Sequence, residues 1–206
     1  MNFRKLLAIG LAIVWFNGFA QGKIDPWTIT ADKIDPANYY GITVANGMIG
    51  VVSAPEPFKV KNVVLAGAYD LYGRGRVSNF LNSFNLLNMN VDINGKRVDA
   101  KGVKNFRQSL DMRNAAFTTS FDYGDLATVT YTYYSLRQLP YTVLMDVTVT
   151  AKKEVVISPS SVMEAPDALK EVQNYYNEID RPHVILSLLT SSAKSPTGKL
   201  QLAAST

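Results

Sequence analysis

Apolar and polar residues alternate with a period of two along most of this chain. Over residues 126–136, Val129, Tyr131 and Tyr133 share one face, while Thr128, Thr130 and Thr132 take the other. Over residues 141–150, Val143, Met145, Val147 and Val149 do the same. Alternating β-branched and aromatic side chains are what a half-buried strand requires. Further strands are predicted at 41–44, 48–53, 62–69, 86–93, 96–99, 115–122, 154–163, 183–189 and 199–203. Turns fall at Ala45-Asn46-Gly47, Asn94-Gly95 and Tyr123-Gly124. Asn-Gly is favoured in tight hairpins because both residues tolerate positive φ. Residues 71–82, rich in Gly, Arg, Ser and Asn, read as a long loop. Only 166–176 reads as helix, with Pro166 at its start and Leu169, Val172 and Tyr176 at helical spacing. Many short strands at close spacing predict an antiparallel β-sandwich with one short helix.

The N-terminus departs from this pattern. Arg4 and Lys5 precede an apolar run over 6–16, and small residues follow at Gly18 and Ala20. That order is the layout of a secretory signal peptide, with cleavage expected after Ala20. The run is shorter than the roughly 20 residues a spanning helix needs, and no Cys follows it as a lipid acceptor. The expectation is an exported protein, periplasmic or extracellular, whose mature part is a single domain over residues 21–206. An apolar, strand-like run just before Thr206 is the expected mark of a domain cut near its last strand.

Composition narrows the chemistry. Hydrophobic residues make up 47% and charged residues 18%, which excludes a disordered chain. The formal charge is +4, of which Arg4 and Lys5 supply two, so the mature chain carries +2. The basic residues form no stripe, so a nucleic-acid partner is not expected. Zero cysteines remove disulfides, thiol nucleophiles and thiolate metal sites. One histidine, His183, cannot build a zinc site alone, and no G-x-S-x-G elbow accompanies it. Neither metal nor cofactor is expected. A glycosidase needs two acids across a cleft. Asp122 and Asp125 bracket a turn that accounts for both. Asp92, Asp99 and Asp111 lie at strand ends, and Glu164 stands where the predicted helix would begin, a favourable place for a carboxylate. No catalytic residue emerges.

Tyr72-Gly73-Arg74-Gly75-Arg76 is the most pointed local feature. Two glycines loosen the backbone, and two arginines offer forked donors to sugar hydroxyls, phosphate or a neighbouring domain. It lacks the lysine and following helix of a phosphate-binding loop. Eleven tyrosines, including Tyr39-Tyr40, Tyr131, Tyr133-Tyr134 and Tyr175-Tyr176, divide between core positions and potential sugar-stacking platforms.

Several motifs in order resemble glycoside hydrolase family 65. The run from Tyr40 to Gly50, with Asn46-Gly47-Met48-Ile49-Gly50 at its end, resembles the family's early glycine-asparagine-glycine signature, with Ala45 where the family commonly has Gly. Ala66-Gly67-Ala68-Tyr69-Asp70 resembles its next strand end, and Asp92-Ile93-Asn94-Gly95 its hairpin. Leu110-Asp111-Met112-Arg113, leading to Phe117 and Phe121, is the most specific match. Together they cover about residues 27 to 165, and their order carries more weight than any one. The resemblance implies a β-super-sandwich of the galactose-mutarotase type. In that family it precedes a linker helix and an (α/α)6 barrel that holds the general-acid Glu. The implied substrates are α-linked glucosides, cleaved by hydrolysis or phosphorolysis, and export favours hydrolysis. The barrel is absent from this chain, so it is expected to be inactive alone. The substrate-binding candidates are Tyr69, Asp70, Arg74 and Arg76, on a loop that the sandwich could lend to a cleft or dimer contact. A family-95-like fucosidase has a related sandwich. A freestanding carbohydrate-binding module and a structural domain without sugar affinity are the other two readings.

Overall fold

The computed structural model describes residues 25–39, 41–73 and 77–206. The predicted signal segment and the pair Arg74 and Arg76 lie outside them. Among the described residues fifteen strands form four antiparallel sheets. The largest holds β1 (Thr28–Ala31), β8 (Val103–Asp111), β9 (Ala116–Tyr123), β10 (Ala127–Ser135) and β11 (Val143–Ala151), in the order β1-β8-β9-β10-β11. A second sheet orders β2 (Thr43–Ala45), β3 (Ile49–Ser53), β4 (Val60–Leu71) and β5 (Ser78–Asn82) in sequence. A third pairs β12 (Ile157–Glu164) with β6 (Asn85–Ile93), and β6 with β7 (Lys96–Arg97). The fourth runs β13 (Lys170–Arg181), β14 (Val184–Lys194), β15 (Gln201–Ser205). The all-β antiparallel sandwich expected from the alternation is the fold observed.

The predicted faces are the buried faces. Val129, Tyr131 and Tyr133 of β10 are at most 2% exposed and meet Phe58, Phe117 and Phe121. The Phe58 and Tyr131 rings stack with centroids 4.9 Å apart, and Phe121 stands edge-on to Phe58 at 6.0 Å. Such pairs add to the area they bury. Val44, Val51, Val60 and Val63 of the second sheet, and Val91 and Ile93 of the third, close this core. Polar ties fix how the sheets meet. Asn88 Oδ1 accepts from the Val60 N–H at 2.7 Å, and Asn85 Nδ2 donates to the Val60 carbonyl at 3.0 Å.

Turn chemistry follows the residues. Asn94 (φ 52°) and Gly95 (φ 74°) both adopt the left-handed conformation between β6 and β7, as a two-residue hairpin demands. At Asn46-Gly47 only Gly47 does so. Asn46 instead uses its side chain: Oδ1 accepts from Met48 and Ile49 N–H at 2.9 Å each, and Nδ2 donates to the Leu136 carbonyl at 2.7 Å.

Two expectations are corrected. The predicted helix over 166–176 does not form; among the described residues the only helical turns are 3-10, at Pro36–Asn38 and Ala100–Gly102. Leu169 is buried with Leu81 and Phe84 at the edge of β13, and Val172 and Tyr176 share one face of that strand. Pairing with β14 across the Pro182-His183 turn overrides the local spacing. Glu164 accordingly ends β12 rather than capping a helix. The supposed loop over 71–82 also contains strand: β4 runs to Leu71, and β5 pairs back from Ser78. A register shift between Val64 and Tyr69 accommodates Gly67 at φ 83°, a bulge only glycine takes up without strain.

Candidate functional site

Of the four residues singled out for binding, Tyr69 and Asp70 are described, and they point opposite ways because strand neighbours alternate. Tyr69 is 45% exposed and faces Phe80, itself 63% exposed and its register partner on β5. Their ring centroids lie 4.7 Å apart at 39°. The exposed Leu71, Tyr72 and Val77 flank this pair. An exposed aromatic pair at a hairpin end can stack on the apolar face of a sugar ring or seat a neighbouring polypeptide.

Asp70 turns inward and is buried. Its carboxylate accepts from the Thr197 N–H at 2.9 Å and from the Thr197 hydroxyl at 2.7 and 2.8 Å to its two oxygens. It also accepts from the Leu71 N–H at 2.7 Å. The hydroxyls of Ser195 and Thr197 hold this carboxyl well below the usual carboxylate range. Asp70 thus ties β4 to the turn between β14 and β15.

Asp92, Asp99, Asp111, Asp122, Asp125 and Glu164 are likewise engaged. Asp122 accepts from Lys152 and the Thr128 hydroxyl, each at 2.6 Å, and from Asn105 at 2.7 Å, and these partners lower its pKa, Lys152 most. Asp125 pairs with Lys153, and Asp92 with Arg97. Asp99 caps the turn at Lys101 and Gly102. Asp111 of the Leu-Asp-Met-Arg motif accepts from the N–H groups of Arg113 and Asn114. Arg113 then reaches Asp25 at 3.2 Å and lies over the Trp27 ring at 5.9 Å. The motif is therefore a turn that locks β1 onto β8. Glu164 accepts from Asn88 at 3.0 Å. His183 is exposed at the tip of the β13–β14 hairpin. Among the described residues no group of three or more His, Cys, Asp or Glu side chains could hold a metal ion.

Two hollows were not visible in the sequence, because each joins distant segments. An apolar cleft of about 230 Å³ lies between Ile49, Leu65, Phe84, Tyr141, Val143 and the end of β15. A more polar crevice of about 410 Å³ lies beside Arg113, Asn114, Tyr134, Arg137 and Gln138. Neither contains a pair of carboxylates, so neither presents the acid–base arrangement that glycoside cleavage uses.

Comparison with known proteins agrees with this distribution. The family model described as glycosyl hydrolase family 65, N-terminal domain, matches residues 41–206. The chain belongs to glycosyl hydrolase family 65. A kojibiose hydrolase of Mucilaginibacter mallensis is 74% identical over 205 residues, covering 100% of this chain and 30% of that protein. A kojibiose hydrolase of Flavobacterium johnsoniae is 53% identical over 181 residues, covering 88% of this chain and 27% of that protein. The chain thus spans less than a third of the family-65 relatives it matches. A solved structure described as a candidate kojibiose phosphorylase from the human microbiome superposes with a TM-score of 0.63 at 14% identity. It covers 88% of this chain and 27% of that one, and at that identity it bears on the fold alone. The matched family region is the family's N-terminal domain.

Proposed function

We propose that this chain is the supporting sandwich of an exported enzyme that hydrolyses α-linked glucosides, kojibiose foremost, with the chemistry carried by a separate catalytic barrel. The observation that carries this is the restricted match: near-complete coverage of this chain against under a third of two kojibiose hydrolases. The committed acids support it, since each carboxylate tested above serves a turn, an ion pair or a strand tie. Export rests on the charged, apolar and small-residue order of residues 1–20. The exposed Tyr69–Phe80 pair supports a contact with sugar at the edge of the cleft that such a barrel would form.

The test replaces the corresponding region of the Mucilaginibacter relative with this chain and follows glucose release from kojibiose. The hybrid is expected to be active, the isolated chain inactive, and the relative's remainder alone severely impaired. Glucose release by the isolated chain, or full activity of the remainder alone, overturns the proposal.

A further inference from the structure

A third hollow, of about 210 Å³, lies where two ladders are interrupted. On one side the β4–β5 pairing shifts between Val64, opposite Asn82, and Tyr69. On the other the β6–β12 pairing shifts between Val162 and Glu164, which sets Glu164 opposite Asn85. Such irregularities re-aim side chains out of the regular alternation. The polar lining is Lys61, Asn62, Asn82, Ser83, Asn85 and Glu164, and the rest is aliphatic.

The polar wall is supported from beneath. Asn85 and Asn88 are 6% and 3% exposed. Asn88 accepts from the Val60 N–H through Oδ1 at 2.7 Å and donates through Nδ2 to Glu164 Oε2 at 3.0 Å. Asn85 donates to the Val60 carbonyl at 3.0 Å and accepts from the Leu87 N–H at 3.1 Å. The backbone thus fixes both amides, and one of them fixes the carboxylate of an exposed glutamate. Ordering such a side chain costs rotamer entropy. In return a carboxylate is held at the hollow by a buried second layer, with further lone pairs free to accept. Lys61 of β4 lines the same hollow. Among the described residues neither Lys61 nor Glu164 takes part in an ion pair, so both charges are open to a ligand.

The lining selects the ligand. One ammonium and one carboxylate cancel, so an anion meets Glu164 and a cation meets Lys61, and a neutral molecule meets neither penalty. Donors and acceptors are interleaved, because each amide offers both. The ligand must therefore donate and accept, as neighbouring hydroxyls do. At ~30 Å³ per water the hollow holds about seven waters, the scale of one sugar ring. We propose that this crevice binds one neutral hexose unit, with Glu164 accepting from adjacent sugar hydroxyls and Lys61 donating to another. A lone carboxylate lacks the two-acid machinery of glycoside cleavage, so the site binds without cutting. It shares no residue with the Tyr69–Phe80 pair and depends on neither a catalytic barrel nor export.

The test titrates the isotope-labelled chain with D-glucose into the tens of millimolar and follows the amide resonances. Glucose is expected to move those of Asn62, Ser83 and Glu164, with a dissociation constant on the order of millimolar, as befits a small polar ligand. Glu164→Gln keeps the length of the side chain and an acceptor for Asn88 but removes the charge. It is expected to weaken glucose by about tenfold, the scale of one charge-assisted hydrogen bond. Lys61→Met keeps the aliphatic stem and is expected to do the same. Both residues are exposed, so circular dichroism and melting temperature are expected to stay unchanged. Amides left unmoved by glucose, equal affinity in both variants, or binding lost only in Tyr69→Ala overturns the proposal. So does a fall in melting temperature in Glu164→Gln that accounts for its weaker binding, which would make Glu164 a strand tie alone. None of these readouts involves glucose release, so this proposal and the functional one fail separately.

Discussion

Strands β10 and β13 carry similar residues and reach opposite fates. Both mix β-branched and aromatic side chains with polar ones. In β10 the alternate positions Val129, Tyr131 and Tyr133 are sealed under Phe58, Phe117 and Phe121. In β13, Tyr175 and Tyr176 remain 50% and 64% exposed, and nearly the whole strand faces solvent. The difference is in neighbours. β10 has β9 and β11 on its flanks and another sheet against its face, whereas β13 has β14 alone. Alternation records a strand's capacity to be covered; a second layer decides whether it is.

The largest expected effect tests that contrast directly. Phe121→Ala opens a cavity between Phe58 and Tyr131 and is expected to destabilise the chain by about 3–5 kcal/mol. Tyr176→Ala, in a residue of similar size on the ribbon, is expected to stay within about 0.5 kcal/mol. Urea unfolding followed by circular dichroism measures both. Equal losses would mean that the ribbon shares the stability of the body, and the contrast would fall.

A smaller effect is expected where the two regions are joined. Asp70 reaches from β4 to Thr197, beside a minor core of Ala68, Leu81, Phe84, Leu169, Ala193 and Leu202. Because the folded chain holds this carboxyl below its ordinary value, the folded state is favoured above the unfolded carboxylate pKa of about 4. The contribution fades as the pH falls through and below that range. Asp70→Asn is expected to lower the melting temperature at pH 7 and to flatten its decline between about pH 5 and pH 2. Amide exchange is expected to quicken first in β14 and β15, with β9 and β10 unchanged. Loosening of β10 to the same degree would show that the ribbon and body unfold as one unit.

Much of the body was legible in the sequence, whereas of the ribbon only the arm over 183–189 was, and burial accounts for the difference. Residues 115–122, 126–136 and 141–150 show regular alternation because one face is buried, so burial wrote the period into them. The ribbon has no such face over most of its length. Leu169, Val172 and Tyr176 then happen to fit a helix, and only the long-range register with β14 shows otherwise. The strand hidden in residues 71–82 was obscured by the bulge at Gly67, which shifts the pairing after Val64. The candidate site was half legible. Gly67-Ala68-Tyr69-Asp70 marked the right hairpin, but nothing local revealed that Tyr69 looks out to Phe80 while Asp70 looks in to Thr197. Both partners come from other strands or turns, and Thr197 lies 127 residues away.

The smallest expected effect asks how complete the body's packing is. The Tyr133 hydroxyl is buried among the core aromatics without a hydrogen-bond partner. Tyr131, 5.7 Å away by ring centroid, accepts from the Phe58 N–H at 3.0 Å. An unpaired buried hydroxyl is a penalty, so Tyr133→Phe is expected to leave the fold unchanged and to stabilise it by up to about 1 kcal/mol. The same change has a consequence at high pH. Burial pushes the Tyr131 phenol up to about 12 and raises Tyr133 too. Both lose their protons more readily when unfolded, at a pKa of about 10. Their contribution is therefore complete below about pH 10 and declines as the pH climbs through the folded values. Tyr133→Phe removes one of the two groups and is expected to make the alkaline fall in melting temperature shallower, while Tyr176→Phe on the ribbon leaves it unchanged. A steeper alkaline fall, or a loss of stability at pH 7, would show that the Tyr133 hydroxyl is satisfied in solution and that the body is held by one more polar contact than its geometry displays.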